Sequence, residues 1–175
     1  MTPEFSRTVR TDTLGAEPRQ LTIEANEQER TALARRFGLP AIAALTADAE
    51  LNRNGETVVA VGTLRAEVTQ SCVATALPVA AAVEEPFRIL FRPQPAAGGI
   101  DEEVELGEAD LDVVFYSSAS VDIGEAIAET LALSLDPYPR APGAEEVLKQ
   151  AGVLGECEAG PFGALAGLKD KLAGG

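Results

Sequence analysis

Residues 120–140 read SVDIGEAIAETLALSLDPYPR, and the rest of the chain is interpreted around them. The spacing predicts a helix with a defined start and a hard stop. Asp122 is a natural N-cap, and Glu125, three residues on, can complete a capping box. Ile123, Ile127 and Leu131 recur at i, i+4 and i+8 and make one apolar stripe, while Glu125 and Glu129 fall on another face. Pro137 and Pro139 lack the amide proton and have a fixed φ, so the helix must end before an extended Asp-Pro-Tyr-Pro segment. No Lys or Arg lies between Arg92 and Arg140, whereas Asp101, Glu102, Glu103, Glu105, Glu108, Asp110 and Asp112 do. The helix closes the most negative part of the sequence.

Upstream, residues 5–25 predict two short strands, with Phe5, Arg7, Val9 and Thr11 alternating with other positions and then Leu21, Ile23 and Ala25. Asn26 to Gly38 predicts a helix: Asn26 can cap it, Glu29 stands three residues on, Gly38 suits a left-handed stop, and Pro40 prevents a restart. Arg35 and Arg36 sit near its C-terminal end, where the helix dipole favours cations; a binding patch is the alternative. Residues 41–51 and 57–70 predict a hairpin around Asn54-Gly55. On its second arm Val58, Ala60, Leu64, Ala66 and Val68 share one side, and Thr63, Arg65, Glu67 and Thr69 share the other. Gly62 interrupts the apolar side and marks a bulge or a close backbone approach. A turn is expected over 71–78, a strand over 86–92, and a last strand through Leu111, Val113 and Phe115.

This order of elements suits antiparallel neighbours better than strand–helix–strand units. The expected fold is α+β, with a curved, mainly antiparallel sheet or partly closed β-barrel and two main helices. The domain is expected over 1–142, followed by a Gly/Ala-rich tail over 143–175 in which Glu145–Gln150 and the Phe162, Leu165, Leu168, Leu172 pattern can each form a short helix.

With 175 residues and 46 % hydrophobic content the chain can bury a core, but aromatics are only 5 %, so Val, Leu, Ile and Ala must build it. The formal net charge of −14 repels phosphate backbones and attracts cations and basic proteins; solubility is the plain alternative. Histidine is absent, which excludes Ser-His-Asp and Cys-His nucleophiles. Cys72 and Cys157 stand alone, which fits a reducing cytosol and argues against a structural zinc site. Cys72, at a strand end, reads as a small buried hydrophobe, with a reactive thiol as the alternative. Glu156 and Glu158 disfavour a thiolate at Cys157. Asp101, Glu102 and Glu103 lack calcium-loop spacing, and no phosphate-binding glycine motif occurs, so no metal and no cofactor is expected. No apolar run is long enough to span a bilayer and no signal peptide is evident; a cytoplasmic location is expected. Arg65, Arg88 and Arg92, with Arg53 at the hairpin turn, form a modest basic patch on adjacent strands. It serves either sheet solubility or phosphate contact.

Three segments, EFSRTV at 4–9, VTQSCVATALPVAAAVEEPFRILFRP at 68–93 and VDIGEAIAETLALSLDPYPRAPGA at 121–144, together resemble the YceD family of large ribosomal RNA subunit accumulation proteins, in its alphaproteobacterial form. The resemblance implies a role in the synthesis, processing or stability of 23S ribosomal RNA and in large-subunit assembly, with no enzyme activity. Members of the family often carry further cysteines. Here Ala74 and Ala76 stand where a basic residue and a second Cys are common after Cys72, and PYPRAPGAEE lacks the paired cysteines many members carry there. Asp122, Glu129 and Leu131 match the family's final helix as functional or fold-defining positions.

Two functional expectations follow. In the first, an acidic surface that includes Asp122, Glu125, Glu129, Asp101, Glu102 and Glu103 binds a basic large-subunit ribosomal protein or a pre-50S particle. In the second, Arg65, Arg88 and Arg92 contact a 23S ribosomal RNA precursor directly. DNA and membrane are not expected partners. An enzyme built on converging carboxylates is a third reading, which a pocket holding such a pair would support.

Overall fold

The 120–140 stretch forms the helix its spacing predicts, Ile123–Ser134, with Ile123, Ile127 and Leu131 all at 0 % exposure. The computed structural model of the chain describes residues 3–95 and 112–153. In chain order these form β1 (Thr8–Arg10), β2 (Arg19–Glu24), α1 (Glu27–Phe37), β3 (Ala41–Asn54), β4 (Thr57–Ser71), β5 (Pro78–Pro93), β6 (Val113–Tyr116), β7 (Ser120–Asp122), α2 (Ile123–Ser134) and α3 (Ala144–Gln150). The fold is α+β. A curved sheet runs β2-β3-β4-β5-β6, and a separate two-stranded sheet joins β1 to β7. The five-stranded sheet is open, not closed into a barrel.

Two compact units make up the chain. The first takes the described parts of Met1–Gln70 and Ala80–Pro137, and the second Ser71–Val79 with the described part of Tyr138–Gly175. The first unit's core combines α2's stripe and Leu33 of α1 with Leu45, Ala47, Ala49 and Leu51 of β3. Val58, Ala60, Leu64, Ala66 and Val68 of β4 complete it with Phe87, Ile89 and Phe91 of β5. Period-2 alternation puts these side chains on one face of the sheet. In the second unit Cys72, Ala141 and Ala144 are buried together, with Ala74 and Val79 packed against them.

Local chemistry explains most boundaries. The Asn26 side chain accepts from the Glu29 amide at 3.0 Å, and the Glu29 carboxylate accepts from the Asn26 amide at 2.8 Å, so the capping box closes. Gly38 stops α1 in the left-handed region at φ 66°, where its amide reaches the Ala34 and Arg35 carbonyls. The β3–β4 ladder is in register from Ala44↔Glu67 to Asn54↔Thr57. The turn therefore centres on Gly55 and Glu56, with Gly55 at φ 62°, one residue later than a turn centred on Asn54 and Gly55. The irregularity in β3 falls at Ile42/Ala44. Gly62 is the close approach: a Cβ there would collide with the Asp48 carbonyl oxygen and lie 2.8 Å from the Phe87 ring.

Five expectations change. Strand β5 starts at Pro78, eight residues earlier than 86. Strand β6 pairs parallel with β5, Leu90↔Val113 to Pro93↔Tyr116. Val114 and Tyr116 pack on the core, and Phe115 is 56 % exposed. The residues just before α2 form β7, with Val9↔Val121 at the centre of its pairing to β1. Glu125 does not reach back to complete a box at α2; Arg36 of α1 holds its carboxylate at 2.7 Å.

Candidate functional site

Alternation that buries β3 and β4 on one side leaves a charged face on the other. Asp48 and Glu50 of β3 point outward beside Thr22 and Gln20 of β2, their ladder partners. The Thr22 hydroxyl donates to Asp48 at 2.8 Å, and the Gln20 amide donates to Glu50 at 2.6 Å. Arg65 of β4 faces outward and bridges two carboxylates, Asp48 and Glu84, at 3.1 Å each. Glu24, Glu67 and Glu84 are exposed as well. The sequence signal for this face was present in Thr-Ala-Asp-Ala-Glu over 46–50, where small apolar residues alternate with polar ones. The strand pairing was needed to see that the acids of β2, β3, β4 and β5 share one surface.

The same face ends in a different chemistry. Arg88 on β5 is exposed and makes no ion pair among the described residues, while Arg92 is half-buried. Phe115 of β6 is the ladder partner of Arg92, and Val113 is the partner of the buried Leu90. The three arginines expected to act together are therefore unlike: Arg65 is neutralised by Asp48 and Glu84, and Arg88 is open. Arg53 serves the hairpin, donating to the Gly55 carbonyl at 2.7 Å and to the Thr11 carbonyl at 3.1 Å.

The helix acids have internal partners. Asp122 caps α2 by accepting the Glu125 amide at 3.2 Å and also accepts the Arg7 amide at 2.8 Å and the Ser6 hydroxyl. Arg36 links Glu125 to Glu4, the latter at 3.0 Å. Its hydrogen bonds, that to Glu125 first, hold the Arg36 guanidinium well above its ordinary range. Arg7 pairs with Glu29 at 2.7 Å. The Arg7 hydrogen bond, outweighing partial burial, keeps the Glu29 carboxyl below its usual value. Glu129 is exposed on α2. Asp101, Glu102 and Glu103 lie outside the described residues, as do Cys157 and the Phe162–Leu172 pattern.

Cys72 has 3 % exposure. Its thiol nonetheless sits at about 7, below the ordinary 9.0, because the Ala141 amide first, then the Thr75 hydroxyl and the Ala74 and Thr75 amides, stabilise negative charge on sulfur. Among the described residues no group of three or more His, Cys, Asp or Glu could hold a metal. No helix among them is long and apolar enough to cross a membrane. The groove along α1 lined by Glu27, Gln28, Thr31, Ala32 and Arg35 measures about 440 Å³ and holds a single carboxylate, and the hollow at the start of α3 is lined by two, Glu145 and Glu146, both exposed.

The fold and this face define a small α+β protein whose open sheet turns a row of acidic side chains outward. A family model described as large ribosomal RNA subunit accumulation protein YceD matches residues 60–169, more than half of the chain. The chain belongs to the YceD family. No curated protein and no solved structure matches it.

Proposed function

We propose that this chain is a cytoplasmic, non-catalytic factor in the accumulation of large-subunit ribosomal RNA, and that it holds a basic large-subunit ribosomal protein, free or in a pre-50S particle, on the acidic outer face of its sheet. Family membership supplies the process. One observation carries the mode of action. The outer face turns Glu24, Asp48, Glu50, Glu67 and Glu84 to solvent, and the guanidinium among them, Arg65, is already shared between Asp48 and Glu84. Such a surface keeps a net negative field, which repels phosphate and steers Lys- and Arg-rich segments.

The sheet also gives the acids a fixed lattice. Outward residues on one strand recur about every 6.6 Å, and neighbouring strands lie about 4.8 Å apart. Exposed pairs such as Arg65–Asp48 contribute little to stability, so they can yield to an incoming cation at small cost.

Titration of the purified full chain against individual large-subunit proteins tests the reading. At least one basic protein should bind at low salt and weaken at high salt. The double substitution Asp48→Lys plus Glu50→Lys should lower affinity by about tenfold or more, because like charges then meet across the interface. Glu129→Lys, on α2, should have little effect. Absence of binding at both salt concentrations, or equal binding by the double variant, removes the proposal.

A further inference from the structure

We infer that the β5–β6 corner of the outer face binds single-stranded RNA, with the Phe115 ring as a platform for a base and Arg88 as a phosphate contact. The inference goes beyond the acidic half of the face and does not depend on it. Strand β6 is the last strand of the sheet among the described residues. The parallel register sets Phe115 beside Arg92 and Val113 beside Leu90 on the outward side. Leu90 is buried at 8 % exposure, while Phe115, two residues after the partner of Leu90, stands 56 % exposed. Phe5, Phe87 and Phe91, by contrast, are all buried in the core. Among the described residues, the core contacts give Phe115 no packing role.

Charge distinguishes this corner from the rest of the face. Arg88 lies on the same side of β5, two residues before Leu90, and no carboxylate among the described residues neutralises it as Asp48 and Glu84 neutralise Arg65. Every nucleobase offers a π-face to an aromatic ring, and the Arg88 guanidinium, four residues along β5 from the ladder partner of Phe115, can take a phosphate further along the same strand of RNA. A duplex hides its base faces and cannot use the Phe115 ring. The acidic body limits long-range attraction, so binding should be modest and steeply salt-dependent.

The test uses the full chain and a short fluorescein-labelled oligouridine, followed by anisotropy at low salt, with a duplex RNA of the same length as comparison. Single-stranded RNA should bind and duplex RNA should bind more weakly. Phe115→Ala should weaken single-strand binding about fivefold or more, and Phe115→Trp should restore it. Arg88→Gln should weaken binding and flatten its salt dependence. Both side chains are exposed, and unchanged circular dichroism melts would show that the variants fold. Binding that is absent at low salt, equal for duplex, or indifferent to Phe115→Ala overturns the inference. Equal competition by oligoglutamate would overturn it in favour of an acidic peptide site. Phe115→Ala should leave binding of a basic protein to the acidic half unchanged, so the two readings fail separately.

Discussion

Replacing Asp122 by Ala should destabilise the fold and leave the sheet face untouched. The carboxylate does three things at once: it accepts the Glu125 amide as the N-cap of α2, the Arg7 amide at 2.8 Å, and the Ser6 hydroxyl. Loss of an N-cap side chain costs about 1 kcal/mol. The Arg7 amide is part-buried, and leaving it without its charged acceptor costs about 1–2 kcal/mol more. The Ser6 contact is exposed and adds little. The expected total is about 2–3 kcal/mol. Asp122→Asn keeps an oxygen in the same place and should cost about 1 kcal/mol or less. Urea unfolding followed by far-UV circular dichroism measures both, with an unchanged m value showing that the change is in stability and not in the compactness of either state. If Ala costs under about 0.5 kcal/mol, or Asn costs as much as Ala, the carboxylate is not the clasp between the N-terminal segment and α2. Binding of a basic partner by the folded fraction should be the same for all three proteins.

Other perturbations have equally defined outcomes. Gly62→Ala should lower stability by about 1–3 kcal/mol or more in the same unfolding assay, because the added carbon meets a backbone oxygen of Asp48 that cannot move aside. Glu29→Gln keeps the reach to the Asn26 amide and removes the charge paired with Arg7. Because the folded Glu29 carboxyl lies below its ordinary 4.5, its contribution is present above that value and lost as pH falls through the lowered one. The stability gap between wild type and Glu29→Gln should therefore be full at neutral pH and close in acid. For Cys72 the folded thiol near 7 lies below its ordinary 9.0, so thiolate formation adds stability that is complete above about 9 and gone below about 7. Thiolate absorbance of a Cys157→Ser variant should titrate near 7 in the native state and near the ordinary thiol value in urea.

The features legible in the sequence were those decided by neighbours along the chain. The Asn26–Glu29 box, the Gly38 stop, the Asp122 cap and the α2 stripe each depend on residues within one or two turns of helix. Gly62 was legible as an interruption of an alternating run, though only the structure shows that the Asp48 carbonyl and Phe87 ring are what it makes room for. The features that were not legible depend on distant partners. Nothing near Glu125 announces that Arg36 will take its carboxylate from another helix. Strands β1 and β7, three residues each, pair across more than a hundred positions, with too little local pattern to stand out. The first half of β5 carries little local signal, because Ala80, Ala81, Ala82, Glu84 and Glu85 have weak strand preference, which the neighbouring strands override. In β6 the period was right but its phase was set by parallel pairing to β5, which turned Phe115 outward.

This division bears on where the working surface lies. The sequence singled out Asp122, Glu125 and Glu129 because they sit in the most patterned helix, and pattern reports folding more directly than recognition. Asp122 and Glu125 already hold amides and a guanidinium, and a Lys or Arg from a partner would have to displace those contacts, at about 1 kcal/mol for the cap alone. The carboxylates of β2–β5 face no such competition. Their strongest internal contacts are exposed hydrogen bonds and ion pairs, which are worth about 0–1 kcal/mol each and exchange readily. A partner that approaches the outer face can therefore neutralise several carboxylates without loosening a cap or a core contact. Asp122 and Glu125 are committed to contacts within the fold, and under the proposed function the strand acids are the ones a basic protein would meet.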